Sequence, residues 1–274
     1  MLNNRTIIIT GASRGIGREM ALKFASQGAN IVIAAKSVEP HPKLPGTIFS
    51  VAQEVIEAGG QSLAVQVDVR DDASIQQMIT QTVEQFGGID VLINNAGAIK
   101  LAGAASLPLK RFDLMYQINT RAVLACSQAA LPWLKKSPNA HILNLSPPLN
   151  MNPKWFMHYG PYTTTKYGMS MLTIGMAEEF KRYGIAVNSL WPQTVISTAA
   201  IEFEGGGAAT MSKGRKPAIM ADAAYQIICS ENQEITGEHL IDEQLLKAKG
   251  VNDFEKYRYD VHSNQPLMTD LFID

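Results

Sequence analysis

The feature that most constrains this chain is a short apolar run that passes directly into a glycine-rich turn: Thr6-Ile7-Ile8-Ile9-Thr10, then Gly11-Ala12-Ser13-Arg14-Gly15-Ile16-Gly17. β-Branched residues predict a strand, and the apolar periodicity after Gly15 predicts a helix, so the glycines join the end of one to the start of the other. Gly11 permits a tight turn, Gly15 lets the backbone approach an anion, and Gly17 lets the helix lie close on the sheet. The start of a helix presents free N–H groups and about half a positive charge, which stabilises a pyrophosphate. Residues 11–17 therefore predict a dinucleotide-binding turn.

The same alternation continues along the chain. Strands are predicted at Thr6–Thr10, Asn30–Ala35, Ser62–Val67, Val91–Asn94, His141–Leu145, Ala186–Leu190 and Glu238–Ile241. Helices are predicted at Gly15–Gln27, Ile48–Ala58, Ala73–Phe86, Lys110–Lys135, Tyr162–Tyr183 and Ala221–Cys229. Runs such as IIIT, IVIA and HILNL are apolar on both sides, as strands covered by helices on both faces must be. The expected fold class is α/β: a Rossmann-type, doubly wound parallel sheet of about seven strands within one domain. That domain spans residues 1–245. Residues 196–217, which include Gly205–Gly207, read as a mobile substrate segment, and 246–274 as a C-terminal extension.

Composition narrows the partners. The formal net charge of −1 supplies no broad positive field for nucleic acid or an anionic membrane, so a small-molecule substrate is expected. Cys126 and Cys229 give neither a disulfide framework nor paired metal-ligand spacing, and the five histidines are scattered, so no metal site is expected. No secretory leader opens the chain and no apolar run approaches the roughly 18 residues of a membrane span. The expectation is a cytoplasmic protein.

Two further patterns carry chemistry. The second strand ends Ala34-Ala35-Lys36, with no carboxylate to accept hydrogen bonds from an adenosine 2′-hydroxyl. Lys36 and Arg14 are instead two cations suited to a 2′-phosphate, which favours NADP over NAD. In Tyr162-Thr163-Thr164-Thr165-Lys166, two functional side chains stand four residues apart on one helix face. A tyrosine titrates near pH 10, and a nearby ammonium stabilises its phenolate, so Lys166 is expected to lower the Tyr162 pKa and make it an acid/base.

The spacing G-x-x-x-G-x-G after a threonine, together with the Tyr-x-x-x-Lys pair, resembles the short-chain dehydrogenase/reductase family, within it a hydroxysteroid dehydrogenase-like subgroup, over most of residues 5–245. The resemblance implies hydride transfer between a nicotinamide and a carbonyl or alcohol. It places Asp68 and Val69 at the adenine, Asn95, Ala96 and Gly97 of an Asn-Asn-Ala-Gly signature beside the cofactor, and Pro192 near the nicotinamide. It makes Lys166 a ligand of the nicotinamide ribose. Asn119 becomes the residue that interrupts the fourth long helix and holds a water of the proton relay. Where the family carries a serine at the end of the fifth strand, this chain has Pro147. Either Ser146 swings into the role or the protein works without it. Gln193 replaces a usual glycine, and either Val195 or Ile196 takes the following hydrophobic place. Relatives pair long helices across subunits, which implies a homodimer or homotetramer. The alternative function is a dinucleotide-binding sensor or scaffold with little catalysis, because Pro147 replaces the serine.

Overall fold

The structure, a computed structural model, describes residues 2–204, 206–231 and 233–274. Seven strands form one sheet in the order β3-β2-β1-β4-β5-β6-β7. They are β1 (Thr6–Thr10), β2 (Asn30–Ala35), β3 (Gln61–Gln66), β4 (Val91–Asn94), β5 (Ala140–Asn144), β6 (Ile185–Trp191) and β7 (His239–Ile241). Every pairing is parallel. The chain order reverses between β1 and β4, and in such sheets the crevice at the carboxyl ends of those two strands is where a ligand can enter.

Alternate residues of each strand enter different layers, as the period-2 geometry of a strand requires. On one face Ile7, Ile9, Ile31 and Ile33 pack with Met20 and Phe24 of α1 (Gly15–Ala25), Val51 and Val55 of α2 (Ile48–Glu57), and Ile219 and Ile227 of a late helix. On the other, Ile8, Val32, Leu92 and Val187 pack with Ile75 and Met78 of α3 (Asp72–Phe86) and with Cys126 and Met169 of two long helices. The expected doubly wound sandwich is therefore present.

The predicted single helix over 110–135 is divided. α4 (Leu109–Tyr116) passes through a π-helical turn, Gln117–Arg121, into α5 (Ala122–Leu134). Asn119 and Thr120 sit in that turn and bond across to a neighbouring helix, which fixes the widened backbone. α6 (Lys154–Met157) is a short turn that the polar stretch after β5 did not announce. α7 (Gly160–Phe180) starts two residues before the predicted Tyr162, with Pro161 in its first turn, where a missing N–H costs nothing. The substrate segment contains α8 (Ala199–Glu204) and α9 (Gly207–Met211), while its Gly205 lies outside the described residues. α10 (Ala218–Ile228) and α11 (Asp242–Ala248) follow. No described helix is long and apolar enough to cross a membrane.

Candidate active site

The glycine turn is built as the spacing requires. Gly11 (φ 69°) and Gly15 (φ 57°) adopt left-handed conformations, and the Gly11 N–H donates to Ala34 O at 2.7 Å. A Cβ on Gly11 would stand 2.9 Å from Ala96 Cα, and one on Gly17 would stand 2.5 Å from Asn95 Nδ2. Gly11 and Gly17 thus permit close packing beneath the turn. At Gly15 a Cβ would meet only Thr198, at 3.4 Å, on the far side of a cavity. The Asn95 amide donates to Thr10 O and Gly11 O, and Thr10 Oγ1 accepts from the Asn95 and Ala96 N–H groups. Asn94 and Asn95 therefore have separate tasks, because Asn94 Nδ2 turns the other way and donates to Asn144 Oδ1 at 2.8 Å.

A cavity of about 490 Å³ lies against this turn. Gly11, Ser13, Arg14, Gly15 and Ile16 line it from the turn, Lys36 from the end of β2, Asp68 and Val69 from beyond β3, and Asn95, Ala96 and Gly97 from beyond β4. Ala12 is buried and Gly17 lies behind the turn, so these two shape the wall from within. Arg14 is half-buried, donating to Ser37 Oγ at 2.8 Å and Pro45 O at 3.0 Å, which fixes its guanidinium beside the end of β2. Lys36 Nζ lies 3.1 Å from Asp68 Oδ2, and Arg70 binds the same carboxylate. These two cations hold the Asp68 carboxyl well below the usual carboxylate range, Arg70 contributing most. Ser37 and Arg70 were not visible as site residues in the sequence, because a lone serine and a lone arginine in polar loops have no distinguishing pattern.

A second cavity, of about 320 Å³, lies beside the first and shares Ile16, Asn95, Gly97, Thr198 and Ala200 with it. Tyr162, Lys166, Asn119 and Pro192 line it, and Val195 and Ile196 both do, so the hydrophobic place after β6 is shared. Lys166 Nζ donates to Leu145 O and stands 5.0 Å from the Trp191 ring. Burial pushes its pKa down to about 7, against an opposing pull from Asp270. Tyr162 departs from expectation: burial first, and the Asp270 carboxylate second, push its phenol above the usual value. The low-dielectric wall around Tyr162 disfavours a bare phenolate more than the expected lysine effect favours it. Asn119 is wholly buried, its Oδ1 accepting from Ala98 N and its Nδ2 donating to Ala98 O and to Thr165 Oγ1, one residue before Lys166.

The comparisons with known proteins address the same span. The family model for short chain dehydrogenases matches residues 5–204. The chain belongs to the short-chain dehydrogenase family. Hydroxysteroid dehydrogenase-like protein 2 of Danio rerio is 54% identical over 269 residues, covering 98% of this chain and 64% of that protein. The chain thus spans less than two thirds of the length of the curated relatives it matches. A putative dehydrogenase from Xanthomonas campestris is 47% identical with a TM-score of 0.96, covering 100% of this chain and 99% of that one. Among more distant structures, a metagenomic short-chain oxidoreductase in complex with NADP is 26% identical (TM-score 0.73, covering 88% of this chain and 97% of that one). A short chain dehydrogenase from Mycobacterium paratuberculosis bound to NAD is 22% identical (TM-score 0.74, covering 88% and 96%) and shares the fold.

Against the family pattern, the serine question has a geometric answer. Ser146 is completely buried, its Oγ has no hydrogen-bond partner, and it does not line the cavity that holds Tyr162 and Lys166. The backbone leaves β5 here, the Ser146 N–H donating to Asn144 O at 3.0 Å, and Leu145 but not Ser146 lines the cavity. Pro147 offers its carbonyl to Ser170 Oγ at 2.6 Å, and neither Pro147 nor Leu149, thirteen residues before Tyr162, bears a hydroxyl.

The C-terminal extension, which from its sequence could cover the active-site entrance, a subunit interface or only the surface, walls the second cavity. Met268, Thr269, Asp270 and Leu271, from the end of the chain, line it beside Tyr162. Phe272 is buried in a cluster with Trp155, Tyr162, Tyr167 and Trp191. Only the charged and aromatic character of the extension hinted at a task, and composition of that kind fixes no address. Among the described residues, no cluster of His, Cys, Asp and Glu could hold a metal ion.

Proposed function

We propose that the protein is an NADP-dependent oxidoreductase that transfers a hydride between the nicotinamide and a small carbonyl or alcohol substrate. The observation that carries this reading is the adjacency of the two cavities: the one lined by the glycine turn shares Ile16, Asn95, Gly97, Thr198 and Ala200 with the one lined by Tyr162 and Lys166. The turn fits a dinucleotide, since Gly15 offers a wall without a side chain at the N-terminus of an 11-residue helix.

The preference for NADP rests on Arg14, Ser37 and Lys36, with Ala35 where a carboxylate would repel a 2′-phosphate. Arg14, Lys36 and Arg70 outnumber the single carboxylate of Asp68 in this corner, which leaves it positively charged. Asp68, Val69, Asn95, Ala96, Gly97 and Pro192 complete the binding wall.

When bound, the nicotinamide supplies or accepts the hydride. Tyr162 gives its phenolic proton to the carbonyl oxygen as that oxygen gains charge, and takes it back in the oxidation direction. Burial keeps Tyr162 protonated and therefore ready to donate. Lys166 exchanges its bond to Leu145 O for the ribose and, when protonated, stabilises the phenolate left behind. Asn119 acts as a positioning residue: through Thr165 and Ala98 it sets the approach of α7 to the end of β4. We further propose a homo-oligomer in which second copies cover the exposed Leu124 of α5 and Met171 and Ile174 of α7.

The test is NADPH consumption by the purified protein across a panel of small aldehydes and ketones, with NADH in parallel and Tyr162→Phe as control. Turnover with NADPH that Tyr162→Phe reduces at least a thousandfold supports the reading. Turnover unchanged in that variant, or none on any carbonyl or alcohol, turns it toward a dinucleotide-binding sensor.

A further inference from the structure

The chain's last residues return to the centre of the molecule along a defined path. Thr269 bridges antiparallel to Thr194, just beyond β6. Val195 N donates to Met268 O, Met268 N to Lys213 O and Asp270 N to Gln193 O, while Trp191 Nε1 donates to Leu271 O at 2.9 Å. Phe272, 1% exposed, then locks the segment by packing its ring against Trp155, Tyr162, Tyr167 and Trp191 at centroid distances between 5.3 and 6.3 Å. A segment held by this many bonds and one buried ring is part of the cavity wall.

That wall brings one chemically distinctive group to the cavity. Around Tyr162 and Lys166 the lining is mostly aliphatic, with Ile99, Leu101, Val195 and Met220 among it, and Asp270 is the one carboxylic acid among its described residues. The stretch after β5, where the family carries a hydroxyl, offers Pro147 and a buried Ser146 that does not line the cavity. The reaction proposed above needs a second donor at the substrate oxygen besides Tyr162, because a developing oxyanion in an apolar cavity is stabilised by more than one aimed hydrogen bond.

We propose that Asp270, delivered by the C-terminal segment, is a catalytic residue that takes the place of the absent serine, donating a hydrogen bond from its protonated carboxyl to the substrate oxygen that Tyr162 protonates. This rests on the oxidoreductase reading. The surroundings favour the protonated form: burial raises the Asp270 carboxyl to about 7, Asp242 at the start of α11 adds to the rise, and Lys166 and the Leu271 N–H oppose it. Tyr162 and Lys166 from α7, Asp242 from α11 and Asp270 itself are the titratable groups that act on one another here. A protonated carboxyl keeps one O–H donor, whereas its other oxygen, Oδ1, is already engaged by the Leu271 N–H at 2.6 Å. The second oxygen is the one left to donate.

The experiment compares the 274-residue chain with Asp270→Ala, Asp270→Asn and Tyr162→Phe in steady-state reduction of the best carbonyl with NADPH. Asp270→Ala should lower kcat about a hundred- to a thousandfold with little change in the KM for NADPH, the range that loss of one oxyanion donor produces. Asp270→Asn keeps an N–H donor and should recover most of that loss, and the fall in rate above neutrality that remains should be that of Lys166 alone. An Asp270→Ala enzyme with unchanged kcat, or an Asp270→Asn enzyme as slow as Asp270→Ala, overturns the proposal while a dead Tyr162→Phe leaves the oxidoreductase reading standing. A second measurement needs no turnover: in protein carrying carboxyl-labelled aspartate, NMR should show a signal titrating near neutrality that Asp270→Asn removes. If the signal lost in Asp270→Asn titrates in the ordinary carboxylate range, Asp270 is no donor at neutral pH and the proposal fails.

Discussion

The ring of Phe272 lies stacked on that of Tyr162, with centroids 6.3 Å apart and planes 27° apart. One residue lies near the chain's end and the other in the first turn of α7, so the extension packs directly on the tyrosine proposed as acid/base. The extension therefore contributes to the stability of the site as well as to its shape.

Phe272→Ala should destabilise the protein by about 3–5 kcal/mol, the usual cost of emptying a buried aromatic position. Urea unfolding monitored by tryptophan fluorescence checks this, since Trp155 and Trp191 both border the ring. A midpoint equal to that of the parent protein would show that the segment is not held by this side chain.

Arg14 is fixed by Ser37 and Pro45 beside the end of β2. Arg14→Ala should weaken NADPH binding about ten- to a hundredfold and NADH binding much less, since only the former would lose a charge-assisted contact. Titration of the bound nucleotide's fluorescence measures both. Equal losses for the two nucleotides would place Arg14 away from the 2′-phosphate.

Gly17 permits no side chain, because a Cβ there would lie 2.5 Å from Asn95 Nδ2 and 2.7 Å from Gly11 O. Gly17→Ala should push Asn95 off the turn, lower stability by about 1–3 kcal/mol and weaken dinucleotide binding at least tenfold. Thermal unfolding with and without NADPH reads both effects, and the stabilisation by nucleotide should shrink.

His141, on β5 and 1% exposed, makes stability depend on pH. Burial, and after it the nearby Arg5 cation, lower its pKa to about 4 from 6.5. Between those values the unfolded chain binds a proton that the folded protein does not, so folding stability falls as pH drops through that window. From about pH 7 to about pH 5 this group alone should cost roughly 2 kcal/mol. His141→Gln should lose correspondingly less over the same interval, as compared by urea midpoints.

Much of the fold was legible because its signals are local. β-Branched runs and helical periodicity located seven strands and the main helices, and parallel pairing follows from strands that alternate with helices. Boundaries moved where tertiary bonds intervened: the fourth long helix opens at Gln117–Arg121 because Asn119 and Thr120 bond to Thr165, a contact across 45 residues or more. The short turns α6, α8, α9 and α11 lacked the periodicity that makes a helix readable.

The sequence by itself determined the glycine turn, the cation-rich end of β2 and the four-residue spacing of Tyr162 and Lys166, since each depends on neighbours within a few residues of one another. The tertiary structure alone decided that Ser146 is buried outside the cavity lining, how burial sets the protonation of Tyr162 and Lys166, and that Asp270 and Phe272 reach them. Burial and electrostatics are properties of everything packed around a group, and residues more than 100 positions apart become neighbours only once the sheet and its helices have closed.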